Sequence, residues 1–445
     1  MDFSPQQIVA LEKVEAWYHT SPNQVFRLFG YAGTGKTTIA KTIAAKFART
    51  IERENKQGDL VPFSTVQYAA YTGKAALVMQ RNGCKDARTL HSLAYIPEAD
   101  LYELKINALK NELDRADTAR QAEIQVQIKE LLKQASQANL NFVLNEMSDL
   151  TATELLIIDE CSMVDEAMAL DILSFGVKVL VLGDPAQLPP VAGEGYFINV
   201  KPDVLLTEIH RQAEDNPIIK LASDVRNYKR LQVGTFGDSR VIKNPAKEER
   251  KNLALDADII IVGKNATRRA YNKAIREAKG LPDRTPVKGD KVICLKNTAD
   301  KKFINGAIFT IEELAFKKKK NRKTGVEEID TSRYEMVLRP EGSKNVIKAD
   351  GVHPYHFQGV ALEKNGELSG LPQGTTEAEA TDIQHDLRYA PYQFDFAYAI
   401  TCHKSQGSQW DKVFIKDESS VFRDSSAKWI YTAITRAAKS VVVEI

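Results

Sequence analysis

The sequence predicts an α/β protein with two domains, each built around a largely parallel sheet. Short apolar runs, typical of strands, alternate with longer stretches that have helical spacing, and this alternation indicates parallel α/β units. The runs form two groups, one before about residue 200 and one after about residue 205. The chain has 445 residues, which exceeds the roughly 250–300 residues at which a single hydrophobic core stops growing.

Eight of the apolar runs are the clearest predicted strands. They are Val25–Phe29, Val66–Tyr71, Leu155–Ile158, Val177–Leu182, Ile259–Val262, Phe396–Thr401, Val413–Ile415 and Val441–Glu444. Several of these runs end directly in Gly, Thr or Asp. Since open α/β sheets bind their ligands at the carboxyl ends of the strands, we expect functional residues at these ends.

Two stretches interrupt the α/β pattern. Residues 98–140 contain no Gly or Pro, and Leu and Ile recur there at helical spacing, which predicts a helical hairpin or one long helix. Residues 281–392 contain short β-like runs separated by turn signals, which predicts a small β-barrel inserted into the second domain. Within them, Lys317–Lys320 with Arg322 and Lys323 form either the charged tip of a hairpin or a phosphate contact.

Composition and charge narrow the class of protein. The formal net charge is only +2, so the overall charge does not indicate a nucleic-acid-binding protein. No apolar run reaches the roughly 18 residues of a membrane span, and the N-terminus lacks the pattern of a signal peptide. The four cysteines (Cys84, Cys161, Cys294 and Cys402) lie far apart, which indicates reduced cytosolic thiols rather than a zinc site or disulfides.

The strongest local motif follows the first predicted strand. Gly30–Thr37 reads G-Y-A-G-T-G-K-T and matches G-x-x-x-x-G-K-[ST] between a strand and a helix. Glycines let backbone N–H groups wrap phosphate oxygens, and the helix N-terminus adds positive charge. Lys36 supplies a charge for the β- and γ-phosphates, and the Thr37 hydroxyl is a ligand for Mg²⁺. The motif therefore predicts a nucleoside triphosphate site.

An acidic pair supplies the second half of such a site. Asp159 and Glu160 directly follow the apolar run Leu155–Ile158. We expect Asp159 to hold Mg²⁺ and Glu160 to accept a proton from the attacking water. Alone, two acids after a strand are equally consistent with a plain strand end, and the preceding phosphate loop favours the catalytic interpretation.

Eight segments together resemble the motifs of one family. In chain order they are Phe3–Gln7, Thr72–Ala76, Thr89–Ser92, Asp159–Met163, Gly183–Val191, Leu206–Gln212, Thr401–Ser408 and Tyr431–Ala437. They resemble, in the same order, the motifs of superfamily 1 helicases of the RecD/Dda type. One such match is weak, but the whole series spans nearly the entire chain and is highly specific.

The resemblance implies two RecA-like P-loop NTPase domains with ATP between them. It also implies a helical or hairpin insertion in the first domain and an SH3-like β-barrel insertion in the second. The first domain is expected at residues 1–92 and 147–204, with the inserted pin or helical arm at 93–146. The second is expected at 205–280 and 393–445, with the barrel at 281–392. The arm is either a solvated structural element or a grip on DNA or on a partner.

The resemblance also implies which residues serve ATP. Charge that spreads over the γ-phosphoryl group needs cations from both walls of a cleft. The expected catalytic residues are Lys36, Glu160, Gln187, Arg211 and Arg436. The expected nucleotide-binding residues are Gln7, Gly33, Thr34, Gly35, Lys36, Thr37, Thr38, His210 and Gly407, and the metal ligands are Thr37 and Asp159. His210 stands where related motors often carry a tyrosine for adenine stacking, and its ring offers less stacking area.

A second set of residues is implied for nucleic acid. It comprises Thr72, Lys74, His91, Ser92, Asn265, Thr401, His403 and Ser405. Hydroxyls, amides and a lysine bind backbone phosphates without reading sequence. The alternative for each residue is a helix cap or a hydrogen bond within the core. Tyr95 and Phe142 flank the arm and are candidates for the strands of a duplex-splitting pin.

The implied function is an ATP-dependent DNA helicase that moves 5′→3′ with ATP and Mg²⁺. Its implied partners are single-stranded DNA and single-strand/duplex junctions, with single-strand-binding or replication proteins as further candidates and no membrane. A monomer in the cytoplasm of a bacterial or phage-infected cell, or at the nucleoid, is expected. Three alternatives stay open, namely an RNA-directed or 3′→5′ motor, an ATP-switched clamp on single strands, and an unrelated P-loop NTPase.

Overall fold

The computed structural model describes residues 3–54, 59–113, 116–137, 142–189, 195–208, 216–298, 302–320, 327–362 and 366–445. The chain divides into two compact units, and each has α/β architecture. The first unit contains Met1–Pro185 and Pro189–His210, and the second contains Ala186–Leu188 and Arg211–Ile445. Within the described ranges, no helix is both long and apolar enough to cross a membrane.

The first unit is built on a six-stranded parallel sheet. Its elements in chain order are α1 (Pro5–Thr20), β1 (Val25–Gly30), α2 (Lys36–Phe47), β2 (Thr50–Glu54), β3 (Leu60–Ser64), β4 (Val66–Ala70), α3 (Gly73–Arg81), β5 (Arg88–Thr89), α4 (Leu90–Ala94), β6 (Tyr95–Pro97), α5 (Glu98–Leu113), α6 (Thr118–Gln137), β7 (Phe142–Leu144), β8 (Leu155–Asp159), α7 (Glu166–Leu173), β9 (Lys178–Gly183) and β10 (Val204–Leu206). The strand order of the sheet is β10-β1-β9-β8-β4-β5.

Helices cover both faces of this sheet, which explains why its central strands are continuous apolar runs. Alternate strand residues such as Leu28 and Ile157 pack with α1 and α2, whereas Phe29 and Ile158 pack with α4 and α7. The four strands predicted for this part of the chain are confirmed, each to within one residue at either end. The parallel order places the ends of β1, β8 and β9 side by side.

In sequence, the two helices α5 and α6 are inserted between the antiparallel strands β6 and β7. Pro97 pairs with Phe142 at the far end of this two-stranded ladder. Asp117 caps α6, since its carboxylate accepts the backbone N–H of Arg120 at 2.9 Å. Arg120 also donates to Glu112 on α5 at 2.9 Å, which links the two helices.

The second unit contains a six-stranded sheet and a five-stranded antiparallel sheet. Its elements are α8 (Pro217–Arg226), β11 (Gly234–Phe236), β12 (Ser239–Ile242), α9 (Lys247–Asp256), β13 (Ile259–Val262), α10 (Asn265–Ala278), β14 (Lys291–Cys294), β15 (Ile308–Lys320), β16 (Glu327–Pro340), β17 (Ile347–Val352), β18 (Ala361–Leu362), β19 (Leu368–Ser369), α11 (Glu377–Tyr389), β20 (Phe394–Phe396), β21 (Ala399–Thr401), α12 (Cys402–Ser405), β22 (Trp410–Lys416), α13 (Ser426–Ile434) and β23 (Ala437–Glu444). The larger sheet has the order β11-β12-β23-β22-β13-β21 and the smaller one β17-β16-β15-β14-β20.

Three predicted strands of this unit differ in extent: β22 and β23 begin three and four residues before the predicted Val413 and Val441, and the third is broken in two. Residues 396–401 were expected to form a single strand, but the chain leaves the smaller sheet after Phe396 and enters the larger sheet at Ala399. Asn272 of α10 causes the break. Its side-chain amide donates to the carbonyls of Phe396 and Ala399, and its carbonyl accepts the N–H groups of Tyr398 and Ala399, at 2.8–3.2 Å. A side chain thus takes the place of a strand partner.

Asn272 belongs to a row of polar side chains on α10 spaced four residues apart, which lie on one face of the helix. Arg268 forms an ion pair with Asp395 at 2.6 Å. Arg276 forms a fully buried ion pair with Asp290, and it also donates to two backbone carbonyls at 2.7 Å. The row therefore attaches α10 to the smaller sheet, whose core is rich in phenylalanine.

The predicted cationic cluster falls on the hairpin of β15 and β16. In the register of this hairpin, Lys317 pairs with Asp330 and Lys320 pairs with Glu327. The Lys317 ammonium lies 3.1 Å from Asp350, and the Lys318 ammonium lies 3.6 Å from Glu327. The acidic strand offsets the basic one, as cross-strand pairs of opposite charge do. Residues 322 and 323 of the cluster lie outside the described residues.

Candidate nucleotide and nucleic-acid sites

The phosphate loop lies between β1 and α2 in a conformation that requires glycine. Gly33 and Gly35 both have a φ of 81°, which is the left-handed region. At Gly30, a Cβ atom would lie 2.5 Å from Oγ1 of Thr34 and 2.9 Å from Cβ of Leu206. Any side chain at Gly30 would therefore push the loop away from β10. The glycine pattern in the sequence reflects these local contacts.

The loop presents its lysine and two threonines at the start of α2. The Lys36 ammonium donates to the carbonyls of Gly30 and Tyr31 at 2.7 and 3.1 Å. Thr37 and Thr38 follow in the first turn, and both are partly buried. The N-cap residue of α2 is a glycine without a side-chain cap, so the first amides of the helix suit an anion.

Two glutamines of α1 tie this helix to the phosphate loop and to the end of β10. Gln7 is 3% exposed, and its amide donates to the carbonyl of Thr34 at 3.1 Å while its oxygen accepts the N–H of Ser4 at 3.0 Å. Gln6 exchanges two hydrogen bonds with Thr207, at 2.8 and 2.9 Å. The predicted role of Gln7 on adenine stays a prediction, and its structural partners here are the capping box of α1 and the loop.

The acidic pair lies at the carboxyl end of β8, beside the phosphate loop. Burial raises the pKa of Asp159, and the positive charge of Lys36 opposes this rise, so the two groups are close enough to interact. Glu160 has φ 54° and ψ 43°, a left-handed conformation that costs a residue with a side chain about 1–2 kcal/mol. Strain of this kind is common at functional sites, where the surrounding structure fixes the residue.

The oxygen ligands in this region fit magnesium. Thr37 and Asp159 offer one hydroxyl and one carboxylate, and Mg²⁺ usually takes one or two protein oxygens besides water and phosphate oxygens. Over the described residues, no group of three or more His, Cys, Asp or Glu side chains forms a metal site. A magnesium site shared with a nucleotide is compatible with that finding, because such a site needs few protein ligands.

In the second unit, Gln187 lies beside a short backbone segment that two other side chains hold. The N–H of Leu188 donates to the Thr432 hydroxyl, and the Leu188 carbonyl accepts from the Gln406 amide, both at 2.8 Å. The side-chain oxygens of Gln187 and Gln406 are buried, and neither has a hydrogen-bond partner among the residues that the structure describes. These oxygens are polar groups for which burial is costly without a ligand.

Arg436 lies inside the second unit at the end of α13. Its guanidinium donates to the carbonyls of Thr432 and Ser408 at 3.1 and 3.3 Å and to the Thr435 hydroxyl at 3.2 Å. The side chain is buried. All three partners are neutral oxygens, so no carboxylate offsets the charge of Arg436 in these contacts. An anion could take the place of one of these oxygens and form a stronger, charge-assisted hydrogen bond.

Of the remaining residues predicted to bind ATP, the structure describes only Gly407. Gly407 follows α12 with a φ of 69°, a backbone conformation that favours glycine. His210 and Arg211 lie outside the described residues, so their predicted roles stay predictions.

Three of the residues predicted for nucleic acid in the first unit lie at helix starts. Thr72 caps α3, since its hydroxyl accepts the N–H of Ala75 at 3.2 Å, and Lys74 lies in the first turn of that helix. The hydroxyl of Ser92 donates to the carbonyl of Thr89 at 3.0 Å. Thr72 and Ser92 thus have the local structural roles that the sequence left open as an alternative.

The fourth residue, His91, is part of an exposed aromatic stack. Its ring stacks on Tyr95 with 4.9 Å between centroids and meets Phe142 edge-on at 4.7 Å. The Tyr95 hydroxyl donates to Asp171 at 2.6 Å, which fixes the inner ring. Phe142 is 56% exposed. An exposed ring in such a stack offers a face on which a base can stack.

In the second unit, Thr401 is the N-cap residue of α12, and His403 and Ser405 lie within this short helix. Burial lowers the pKa of His403 below its ordinary 6.5, so the imidazole is neutral at pH 7. The Ser405 hydroxyl is buried and donates to the carbonyl of Cys402 at 2.7 Å. Of the three side chains, Thr401 and His403 are partly exposed, and Ser405 serves the turn itself.

Asn265 is the exposed first residue of α10, and a carboxylate distant in sequence holds the loop before it. Glu418 accepts the backbone N–H groups of Gly263 and Lys264 at 2.8 and 2.9 Å and the Thr267 hydroxyl at 2.6 Å. We refer to this arrangement as the Glu418 clamp. Sequence reasoning missed it, because nothing near Glu418 resembles a helix cap.

Phe422 extends the clamp toward His403. A Cβ atom at Gly263 would lie 3.1 Å from the Phe422 ring. The same ring lies 5.7 Å from the imidazole of His403 and stacks on Trp429 at 5.7 Å. The segment 418–422 therefore contacts both the loop that precedes Asn265 and the imidazole of His403.

Comparisons with known proteins give the family and the fold of the chain. The family profile described as AAA domain matches residues 3–244, and the UvrD-like helicase C-terminal domain matches residues 396–443. The ATP-dependent RecD2 DNA helicase of Deinococcus radiodurans is 27% identical over 64% of this chain, and the match covers 35% of that protein. This chain thus spans about a third of the length of RecD2.

Two further relatives align over almost the whole chain. The ATP-dependent DNA helicase Pif1 of Campylobacter jejuni is 24% identical over 98% of this chain and 90% of its own length. The crystal structure of Bacteroides Pif1 bound to single-stranded DNA covers 100% of this chain and 92% of that one, with a TM-score of 0.50 and 19% identity. The second likeness shows a two-domain RecA-like α/β fold. The chain belongs to the AAA domain family, and its similarity to RecD2 and Pif1 supports a superfamily 1 helicase of the RecD/Pif1-like group.

Proposed function

We propose that this chain is an ATP-dependent DNA helicase that translocates on single-stranded DNA in the 5′→3′ direction. The observation that carries the proposal is the phosphate loop with Lys36 beside Asp159, in a chain that aligns over 98% of its length with a Pif1 helicase. The names of both relatives include ATP-dependent DNA helicase activity. The direction rests on the resemblance to the RecD/Dda branch.

In the proposed ATPase cycle, the first unit binds the triphosphate and prepares the water. Lys36 binds the β- and γ-phosphates, and the amides at the start of α2 bind their oxygens. Thr37 and Asp159 would hold Mg²⁺, which supplies positive charge to the phosphate oxygens when bound. Glu160 orients the attacking water and accepts its proton. Its strained backbone fixes the direction of the carboxylate.

Two arginines of the second unit, with Gln187 from the segment 186–188 that packs with this unit, would respond to the γ-phosphate. We assign Arg211 and Arg436 to the charge that develops there and Gln187 to sensing its loss. The buried oxygen of Gln187 has no partner among the described residues and can accept from a water molecule, while its amide N–H groups can donate to a phosphate oxygen. The guanidinium of Arg436 can exchange its bond to the Ser408 carbonyl for a phosphate oxygen. Thr401 and His403, which would contact DNA, lie at the start of α12 and within it, and Gln406 and Gly407 follow this helix directly. DNA bound at α12 could therefore shift the residues that serve the nucleotide, so turnover would depend on DNA.

We further propose boundaries and roles for the inserted segments. Residues 93–146, with α5, α6 and the β6–β7 ladder, would form a pin and its arm, and Phe142 in the aromatic stack would be the residue that meets the duplex. Residues 281–392 would form an SH3-like barrel, supported by the antiparallel strands β14–β17. The RecA-like domains would comprise 1–92 with 147–204 and 205–280 with 393–445. A monomer that meets single-strand-binding or replication proteins in the cytoplasm is proposed on the resemblance alone.

Strand displacement tests the proposal directly. Two duplexes, one with a 5′ and one with a 3′ single-stranded tail, are incubated with ATP and Mg²⁺. We expect unwinding of the 5′-tailed duplex alone and none by Lys36→Ala, which should still bind DNA because Lys36 serves phosphate in the first unit. Unwinding of the 3′-tailed duplex would overturn the direction and keep the motor.

The matched control for Lys36→Ala is Lys41→Ala, which removes a lysine from the same helix about one and a half turns further along. Normal unwinding by Lys41→Ala and loss by Lys36→Ala would tie the activity to the loop. ATP turnover that does not rise with single-stranded DNA would exclude the motor. DNA-stimulated turnover without unwinding of either duplex would favour the ATP-switched clamp.

A further inference from the structure

Helix α10 carries a second row of side chains that the proposed mechanism does not use. Asn265, Arg269 and Lys273 are spaced four residues apart, so they lie along one face of the helix, and all three are exposed. The neighbouring row attaches the helix to the smaller sheet through Arg268 and Asn272. The exposed row therefore continues along a rigidly held helix from the predicted DNA contact at Asn265.

The cationic part of this row opens into a cleft of about 150 Å³. Arg269, Lys273 and Arg284 line its rim, and Phe357 and His356 contribute to its wall. Burial lowers the pKa of His356 below its ordinary 6.5, so this ring adds no charge at pH 7. The two carboxylates of the cleft, Asp283 and Asp395, need separate consideration because they oppose an anionic ligand.

Neither carboxylate neutralises the three cations. Asp395 is already paired with Arg268 at 2.6 Å. Asp283 is shared, since it lies 3.4 Å from the Lys273 ammonium and 3.7 Å from the Arg284 guanidinium, and both distances exceed that of a good hydrogen bond. Within the described part of the chain, Arg269 has no ion pair. Exposed pairs of this kind contribute about 0–1 kcal/mol, so an anion can displace them.

We propose that the Arg269–Lys273–Arg284 cleft binds the phosphate backbone of single-stranded DNA, beyond the nucleotides that Asn265 contacts. This inference rests on the proposed helicase function and adds a binding site to it. At 1.5 Å per residue, Asn265 and Lys273 lie about 12 Å apart along α10, which corresponds to about three or four nucleotides of a stacked strand. Lysine and arginine without base-reading groups around them suit a phosphate chain of any sequence.

A strand held at this cleft would stay attached while the contacts around α12 release and rebind. The cleft lies on the same unit as Asn265, Thr401 and His403, and the exposed row of α10 connects it to Asn265. The cleft should raise the affinity for single-stranded DNA only when the strand is long enough to reach it. Because this gain in affinity is electrostatic, it should decrease as the salt concentration rises.

The test compares salt dependence for a short and a long single strand. The affinity of the full-length protein for oligonucleotides of about 8 and about 16 nucleotides is measured by fluorescence anisotropy over a range of salt concentrations. Each neutralised phosphate contact on a single strand changes the slope of log affinity against log salt by about 0.7. In the Arg269→Gln, Lys273→Gln, Arg284→Gln triple variant, we expect the slope for the long strand to fall by about 2 and the slope for the short strand to stay unchanged.

The matched control removes three exposed lysines elsewhere in the second unit, as Lys229→Gln, Lys243→Gln and Lys247→Gln. Its slope should equal that of the wild type for both strands. An unchanged slope for the triple variant on the long strand would overturn the cleft and leave the helicase proposal standing. An equal fall in the control would also overturn it, because bulk charge would then explain the effect. A wild-type protein that binds neither strand would overturn the proposed function itself.

Discussion

Replacing Glu418 with alanine should loosen the loop that presents Asn265. The Glu418 clamp holds the N–H groups of Gly263 and Lys264 and the Thr267 hydroxyl with one carboxylate, at 2.6–2.9 Å. The N-cap residue of α10 makes no cap hydrogen bond with its own side chain. Glu418 therefore serves as the cap of this helix, although it is separated from it by about 150 residues of sequence.

The expected change in the free energy of unfolding follows from the hydrogen bonds that Glu418→Ala removes. Loss of a helix N-cap costs about 0.5–2 kcal/mol, and hydrogen bonds to a charged group are worth about 1.5–3 kcal/mol. We expect Glu418→Ala to lower the free energy of unfolding by about 3 kcal/mol. Glu418→Gln keeps the shape and the acceptor oxygen and loses the charge at the helix N-terminus, so we expect a loss of about 1 kcal/mol.

The effect on DNA binding comes from the same loop. Fixing the backbone of one residue costs about 1–2 kcal/mol, and a loosened loop must be fixed again whenever DNA binds. We expect the dissociation constant of Glu418→Ala for single-stranded DNA to rise about tenfold, which corresponds to about 1.4 kcal/mol. Glu418→Gln should restore most of the affinity.

Two assays separate stability from function. Urea unfolding followed by tryptophan fluorescence gives the free energy of unfolding, and DNA-stimulated ATP turnover gives the DNA concentration at half-maximal rate. That concentration should rise about tenfold in Glu418→Ala while turnover at saturating DNA stays unchanged. Unchanged DNA affinity in a destabilised Glu418→Ala protein would refute the reasoning, because the clamp would then serve stability alone.

Three further outcomes are expected. Arg436→Ala should retain ATP binding and lose about 10³-fold or more in hydrolysis, and turnover with loss of binding would contradict its role at the γ-phosphate. Arg276→Met should lower the free energy of unfolding in urea by about 3–5 kcal/mol, because Asp290 stays buried with its charge, and adding Asp290→Leu should restore much of the loss. Because burial lowers the folded-state pKa of His356 below 6.5, the unfolded chain takes up a proton first, so stability should fall as the pH decreases below about 6.5, and less steeply in His356→Gln.

The candidate nucleotide site of the first unit could be proposed from sequence because each of its two parts is a local motif at the end of a strand. The phosphate loop, its strand and its helix form one continuous segment, and the acids lie at the carboxyl end of the buried strand β8. The conformations at Gly33 and Gly35 are local backbone requirements, which leave a signature in residue type. Likewise, four strands of the first unit, β1, β4, β8 and β9, were predictable to within one residue, since each is a short apolar run.

Contacts between distant segments could not be predicted in this way. Gln6 meets Thr207 across 201 residues, and Glu418 meets Gly263 across 155 residues. Neither glutamine nor glutamate at these positions differs from an ordinary surface residue in sequence, because the partner is chosen by tertiary structure. The end of β20 was missed for the same reason. Residues 396–400 are uniformly apolar, so only the amide of Asn272, about 125 residues earlier, marks where one sheet ends.

The polar row on α10 has a consequence for how the chain can be divided. Excising the five-stranded sheet and joining its ends with a short linker would leave Arg268 and Arg276 as uncompensated charges and would remove one of the two sheets that Asn272 connects. The segment therefore does not behave as a detachable module, even though it occupies a continuous stretch of sequence between α10 and β21. A truncation would expose this face of the helix to water, so Arg268 and Arg276 would have to be replaced by polar side chains that need no ionic partner, and not by apolar ones.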